Sequence, residues 1–148
     1  MRLFIDADAF PNLLKSLVLR AIEREKIVTY VVSNKKVNVG NSSFITYLIV
    51  EQGADKADDK IIEMLSFGDL VLTADIPLAD RVVSKEAYAL DFRGIFYDEN
   101  NIKQYLVMRN LMSEIRDSGE ILKGPAPYGE KDKQSFANAL SKFLQEKR

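Results

Sequence analysis

The chain contains no cysteine and no histidine. Without cysteine there can be no disulfide, no thiolate nucleophile and no zinc–thiolate site. Without histidine the commonest general base is missing, and with it the Ser-His-Asp triad. Charge of one sign is also lacking: 21 Lys and Arg stand against 22 Asp and Glu, a net charge of −1. No global field draws in a polyanion, so any nucleic-acid contact must come from a local basic patch. No apolar run reaches the roughly 18 residues that a membrane span needs. Asp6 and Asp8 interrupt the first apolar run, which does not suit a secretory signal. The expectation is a cytoplasmic protein with no membrane contact. Any catalysis must use carboxylates, Lys, Tyr, Ser/Thr or a metal.

What is present is enough for one folded domain. The 148 residues are 47% hydrophobic, which can bury a real core, and 29% charged, which is an ordinary surface. Arg2–Ile5 is apolar enough on both faces for a central strand. Pro11 suits the first turn of a helix, and Leu13, Leu14, Leu17, Val18, Ala21 and Ile22 recur at helical spacing through about Glu25. Further strands are expected at Ile27–Val32, Phe44–Val50, Asp69–Thr73, Ala87–Leu90 and Ile95–Tyr97. The polar stretch Ser33–Ser43 reads as a loop. Helices are expected from Asp55 to about Ser66, over Pro77–Lys85 and over Glu99–Arg116. In the last of these Ile102, Tyr105, Leu106, Met112 and Ile115 face inward. Gly119–Gly129 is a loop. A final helix, Asp132–Glu146, carries Phe136, Leu140, Phe143 and Leu144 on one side. It either packs on the sheet or forms a semi-independent arm over residues 130–148. Alternating strands and helices predict a three-layer α/β/α fold with a mainly parallel central sheet, in one domain over 1–148.

Aspartates are the chemical signal. Asp6 and Asp8 follow the apolar run Leu3-Phe4-Ile5, and Asp75 follows Leu70-Val71-Leu72-Thr73-Ala74, with Asp80 five residues on. Asp55, Asp58 and Asp59 lie at i, i+3 and i+4, on one helical face near an N-terminus. Sites in open parallel sheets form outside the carboxyl ends of the strands, and carboxylates gathered there hold hard cations such as Mg²⁺ or Mn²⁺. Each acid also has a plainer reading. Asp55 and Asp75 suit helix caps, Asp58 and Asp59 suit a positive helix end, and Asp80 suits a surface ion pair. Brought to about 4 Å, two carboxylates repel by about 1 kcal/mol in water and by ~4 at an effective dielectric of 20. A fold that gathers them therefore calls for a cation or a shared proton.

Asp6-Ala7-Asp8-Ala9-x-Pro11, Gly53-Ala54-Asp55-x-Ala57-Asp58 and Gly68 to Ala79 together resemble the bacterial YaiI/YqxD family. Met108-Arg109, Gly124-Pro125 and Phe136-Ala137-Asn138-x-Leu140 fit it too. The family is grouped with PIN-like domains, whose members include metal-dependent ribonucleases. The resemblance implies an RNA phosphodiesterase using Mg²⁺ or Mn²⁺. It implies Asp6 and Asp75, with Asp58 or Asp59 as the helix acid and Asp80 as a further one. Taken with the carboxylate pattern, Asp6, Asp58 and Asp75 are the first-rank ligands and Asp8, Asp55, Asp59 and Asp80 the second-rank ones. Arg93 and Arg109 match family positions and are the expected phosphate contacts. The family commonly has Cys where this chain has Phe10, so any role of that thiol is absent here.

Two rivals remain. A strand followed by Asp-x-Asp also resembles the start of haloacid-dehalogenase phosphatases, but Ala9-Phe10-Pro11 lacks the Thr that should follow. The other rival is a non-catalytic module binding RNA or a protein. Its candidate contacts are Lys35, Lys36, Arg81, Arg93, Arg116, Lys123, Lys131 and Lys133, with Tyr97 or Tyr128 as stacking surfaces. The partners to expect are RNA and, for assembly, a second copy of the chain.

Overall fold

Six strands and five helices make up the computed structural model, which describes residues 1–53, 55–120, 124 and 126–147. The strands are β1 (Leu3–Asp6), β2 (Thr29–Ser33), β3 (Ile45–Ile49), β4 (Leu70–Leu72), β5 (Tyr88–Leu90) and β6 (Phe96–Tyr97). The helices are α1 (Lys15–Glu25), α2 (Lys56–Met64), α3 (Ile76–Ser84), α4 (Ile102–Asp117) and α5 (Glu130–Glu146). Two short 3-10 turns, Ala7–Ala9 and Asn12–Leu14, lead from β1 into α1.

The sheet runs β3-β2-β1-β4-β5-β6, parallel throughout except for the antiparallel β6. From β1 the chain first builds outward through β2 and β3, then returns to build β4 and β5 on the other side. The direction of winding thus reverses between β1 and β4. At such a point the connections leave the carboxyl ends in opposite directions, and a crevice opens between them.

Side chains alternate across each strand. Leu3, Ile5, Val31, Leu70, Leu72 and Leu90 face one core with α1 and α5. Phe4, Val32, Val71, Ala89 and Tyr97 face the other with α2, α3 and α4. This is the three-layer arrangement expected. The last helix is part of it and not an arm: Phe136, Leu140, Phe143 and Leu144 are all buried in the first core. Its approach is close enough to exclude a side chain at Gly94, where a Cβ would stand 2.7 Å from the Ser135 carbonyl oxygen and φ is +92°.

Helix α4 departs from the expected pattern. Ile102 is buried, but Met112 is exposed, as are Val107, Met108 and Leu111. The helix packs mainly against α3 and meets the sheet only near its start, where Tyr105 lies edge-on to Tyr97, so it buries a narrower stripe than a helix lying on strands along its length.

At the opposite end of the sheet Asp69 is 3% exposed and locks the start of β1. Its carboxylate accepts from the Arg2 backbone N–H at 2.9 Å, the Ser66 N–H at 2.9 Å and the Arg2 guanidinium at 3.0 Å. Asp69→Ala leaves those donors facing a hole. It is expected to cost about 3 kcal/mol, read as a lower urea midpoint at unchanged slope.

Candidate functional site

Alternation along β1 places Asp6 on the same face as Phe4, toward α2 and α3. Alternation along β4 does the same for Thr73, two residues after Val71. Both side chains are buried. The Thr73 hydroxyl donates to Asp6 Oδ2 at 2.7 Å, and its oxygen accepts the Asp75 N–H at 2.9 Å. One buried hydroxyl therefore ties the end of β1 to the acid that opens α3. Asp75 caps that helix, its Oδ1 accepting the Leu78 N–H at 3.0 Å, with Pro77 in the first turn. Capping uses Oδ1 and leaves Oδ2 for the crevice. Sequence reasoning passed over Thr73 as a functional residue. Its parity with Asp6, both continuing one face of adjacent strands, is the signal that marks it.

Helix α2 brings the third acid. Ala57 and Ile61 bury against β1 and β2, which turns Asp58 inward beside the strand ends. Burial raises the Asp58 carboxyl to about 7, helped by the negative charges of Asp75, Asp6 and Asp55 and opposed by Arg81. The Asp6 carboxyl is also raised, first by burial and then by Asp8 and Asp75, while the Thr73 hydrogen bond lowers it. Asp6, Asp8, Asp55, Asp58 and Asp75 thus feel one another across a single crevice. Asp55 occupies the N-cap position of α2 in a left-handed conformation, φ 65°, and its side chain makes no cap bond. Asp8 is exposed, and its Oδ1 has a long 3.5 Å contact from the Asn34 N–H.

The remaining acids turn elsewhere. Asp59 pairs with Arg81 at 2.9 Å, and Asp80 pairs with Lys103 at 3.1 Å. The first pair is exposed on both sides and the second on its lysine side, so each contributes little to stability.

The two arginines part company. Arg109 lines a shallow cavity of 180 Å³ with Ala74, Asp75, Ile76 and Pro77, directly beside the acidic crevice. Arg93 holds down the start of α5 instead. Its guanidinium donates to the Ala126 carbonyl at 2.9 Å, pairs with Asp132 at 3.1 Å and lies 5.6 Å from the Tyr128 ring centre. Among the described residues none of the crevice acids bonds it. Neither tyrosine is a free stacking surface: Tyr97 is buried, and Tyr128 sits under Arg93 with its hydroxyl donating to the Phe92 carbonyl at 2.7 Å. Lys123, Ala54 and Pro125 lie outside the described residues.

The donor chemistry of the crevice fits a hard divalent cation. It offers carboxylate oxygens only, two of them on acids whose mutual repulsion a positive charge would relieve. Among the described residues no three acidic side chains are already spaced to grip one ion.

A family model described as "Uncharacterized BCR, YaiI/YqxD family" matches residues 4–146. The chain is also similar to several proteins printed as UPF0178 protein. One from Sulfurimonas denitrificans is 61% identical over 97% of this chain and 95% of its own length. One from a Nitratiruptor species is 59% identical over 98% and 95%. One from Pseudomonas aeruginosa is 42% identical over 97% and 90%. No solved structure matches the chain.

Proposed function

The chain belongs to the YaiI/YqxD family, and we propose that it hydrolyses phosphodiester bonds in RNA with the aid of Mg²⁺ or Mn²⁺. The observation that carries this reading is the meeting of Asp6, Asp58 and Asp75, from three different elements, in one crevice at the point where the sheet reverses its winding. Such a gathering of like charges is unfavourable in the empty protein, and caps or surface pairs account for neither Asp6 nor Asp58. The resemblance to PIN-like domains points the same way.

A bound cation would be held by Asp6, Asp58 and Asp75, with Asp8 and Asp55 adding negative charge around it. It would supply charge neutralisation at the phosphate and a more acidic water. Asp58, whose carboxyl lies near 7 in the metal-free protein, would give up its proton as the cation binds and hold the ion as the carboxylate. Asp6 is fixed by Thr73 and Asp75 by the first turn of α3, so both acids are oriented before substrate arrives. Arg109, beside Asp75, would hold a non-bridging phosphate oxygen.

Calorimetric titration with Mn²⁺ and Mg²⁺ tests this first. Wild type should bind, and Asp6→Asn and Asp75→Asn should both lose binding. No heat up to millimolar metal, with or without a single-stranded RNA, would remove the metal from the scheme. A second reading, RNA binding without catalysis, rests on the cation beside the crevice, Arg109 next to Asp75. It predicts that Arg109→Ala loses salt-dependent RNA affinity equally with and without metal.

Thr73 offers a separate check on positioning. Thr73→Val keeps the shape but leaves Asp6 without its donor, and metal affinity is expected to fall by about 10–100-fold. Thr73→Ser should restore it. A Val variant that binds metal as wild type does would show that the hydroxyl is not needed to orient Asp6.

A further inference from the structure

We propose that β3 pairs with β3 of a second copy of the chain, antiparallel about a two-fold axis at Tyr47, so that two molecules share one continuous sheet. The inference starts from which backbone groups of β3 are used. Thr29 N–H donates to the Phe44 carbonyl, and Val50 N–H donates to the Ser33 carbonyl. In a parallel ladder of that phase Thr46 and Leu48 complete the bonds to β2. Tyr47 and Ile49 therefore turn both N–H and C=O to the open side, and Ile45 turns its C=O there. The Ile45 N–H is taken by the Ser42 carbonyl. Among the described residues the outward groups of Tyr47 and Ile49 have no partner.

An open edge is a template for further pairing, and natural edges are blunted by charge, proline or shortness. The far edge, β6, is only two residues long. β3 has none of these devices: its sequence is Ile-Thr-Tyr-Leu-Ile, with Ile49 62% exposed. The edge is also held rigid. The Tyr47 hydroxyl donates to the Gly40 carbonyl at 2.6 Å and accepts the Val39 and Gly40 N–H groups, each at 3.1 Å. Beside it, on the α1 face, lies an open cavity of 350 Å³ whose apolar lining is Val31, Val37, Tyr47 and Ile49.

A second copy matches this edge residue for residue. Centred on Tyr47, the antiparallel register sets Tyr47 against its mate, Ile45 against Ile49, Thr46 against Leu48 and Phe44 against Val50. Each Tyr47 N–H then meets the Tyr47 C=O of the other copy, and each Ile49 N–H meets an Ile45 C=O. No charge faces a like charge, since the first charged residue, Glu51, falls opposite Ser43. Ile45 and Tyr47 of the second copy lie across the cavity mouth. Two short strands bury less than the ~1,600 Å² of a standard interface, so a weak dimer that forms only as concentration rises is expected.

Sedimentation velocity of the full chain, from about 1 to 300 µM, tests the pairing, with amide exchange measured at both ends of that range. Wild type should pass from monomer to dimer, and the Tyr47 and Ile49 amides should become protected as it does. Ile49→Lys and, on the opposite face, Thr46→Lys should each weaken the dimer by at least about 100-fold. Each variant is checked by circular dichroism for an intact fold. Met108→Lys on the exposed face of α4 should leave the dimer unchanged. A wild type that stays monomeric overturns the proposal, whether or not it captures an added strand peptide. So does a dimer whose Tyr47 and Ile49 amides exchange freely, or one lost in Met108→Lys but kept in Ile49→Lys.

Discussion

Asp75→Asn is expected to slow RNA hydrolysis by about 1,000-fold or more, equivalent to ~4 kcal/mol of barrier, while the protein stays folded. The two halves of that expectation come from the two oxygens of one side chain. Oδ1 accepts the Leu78 N–H and starts α3. An asparagine carbonyl can do the same, because Asn and Asp cap helices about equally well. What Asn cannot supply is the second, charged oxygen that faces Asp6 and Asp58. Asp75→Ala then separates structure from chemistry. It should lose activity to the same extent and lose about 1 kcal/mol of stability as well, through the missing cap. Asp6→Asn should match the loss of activity. Its amide oxygen can still accept from Thr73, and removing a buried charge held against Asp8 and Asp75 should raise the melting temperature of the metal-free protein. Single-turnover hydrolysis of a labelled RNA with Mn²⁺, run beside thermal melts, reads both quantities. Full activity in Asp75→Asn would falsify the mechanism.

The second large effect is on pH. The Asp58 carboxyl stands at about 7 in the folded protein, against 3.8 for a free aspartate. A carboxyl raised on folding contributes stability that is complete below the lower value and is lost as pH climbs through the upper one. The metal-free protein should therefore lose stability between about pH 4 and 7 through this group. Asp6 acts in the same direction. A divalent cation competes with the same proton. Its affinity should rise roughly tenfold per pH unit up to about 7 and then level off. Asp58→Asn should weaken binding, flatten that rise and reduce the fall in metal-free stability. The check is metal titration at several pH values alongside urea midpoints. A wild-type affinity that does not change between pH 5.5 and 7 would show that Asp58 does not exchange its proton for the ion.

Much of this architecture could be read from residue order alone, and the reason is local. Leu3-Phe4-Ile5 and Leu70-Val71-Leu72 are apolar at every position, which only a strand covered on both faces needs, and the acids that end them follow by counting. Phe136, Leu140, Phe143 and Leu144 at helical spacing told equally well which side of α5 is buried. The limits lay where neighbours decide. Asp58 and Asp59 are adjacent on one helical face, and no spacing rule says that Arg81 takes one while the crevice takes the other. Asp80 and Lys103 meet only because α4 lies against α3. Thr73 looked like an ordinary β-branched strand residue, since its bond to Asp6 depends on β1 and β4 being adjacent. Arg93 and Arg109 were indistinguishable as cations. The fold commits one to Ala126 and Asp132 and leaves the other beside Asp75.

The order of elements along the chain also bears on how the protein is made. β1 is one of the two central strands of the sheet, yet it is synthesised before either strand that flanks it, and β4 follows more than 60 residues later. The α1 side of the sheet gains Phe136, Leu140, Phe143 and Leu144 only after every strand has left the ribosome. A nascent chain stopped before Glu130 therefore carries all six strands with one face covered only by α1, leaving apolar surface of the kind that chaperones recognise. Docking of α5 onto Gly94 and the β5–β6 turn completes that face.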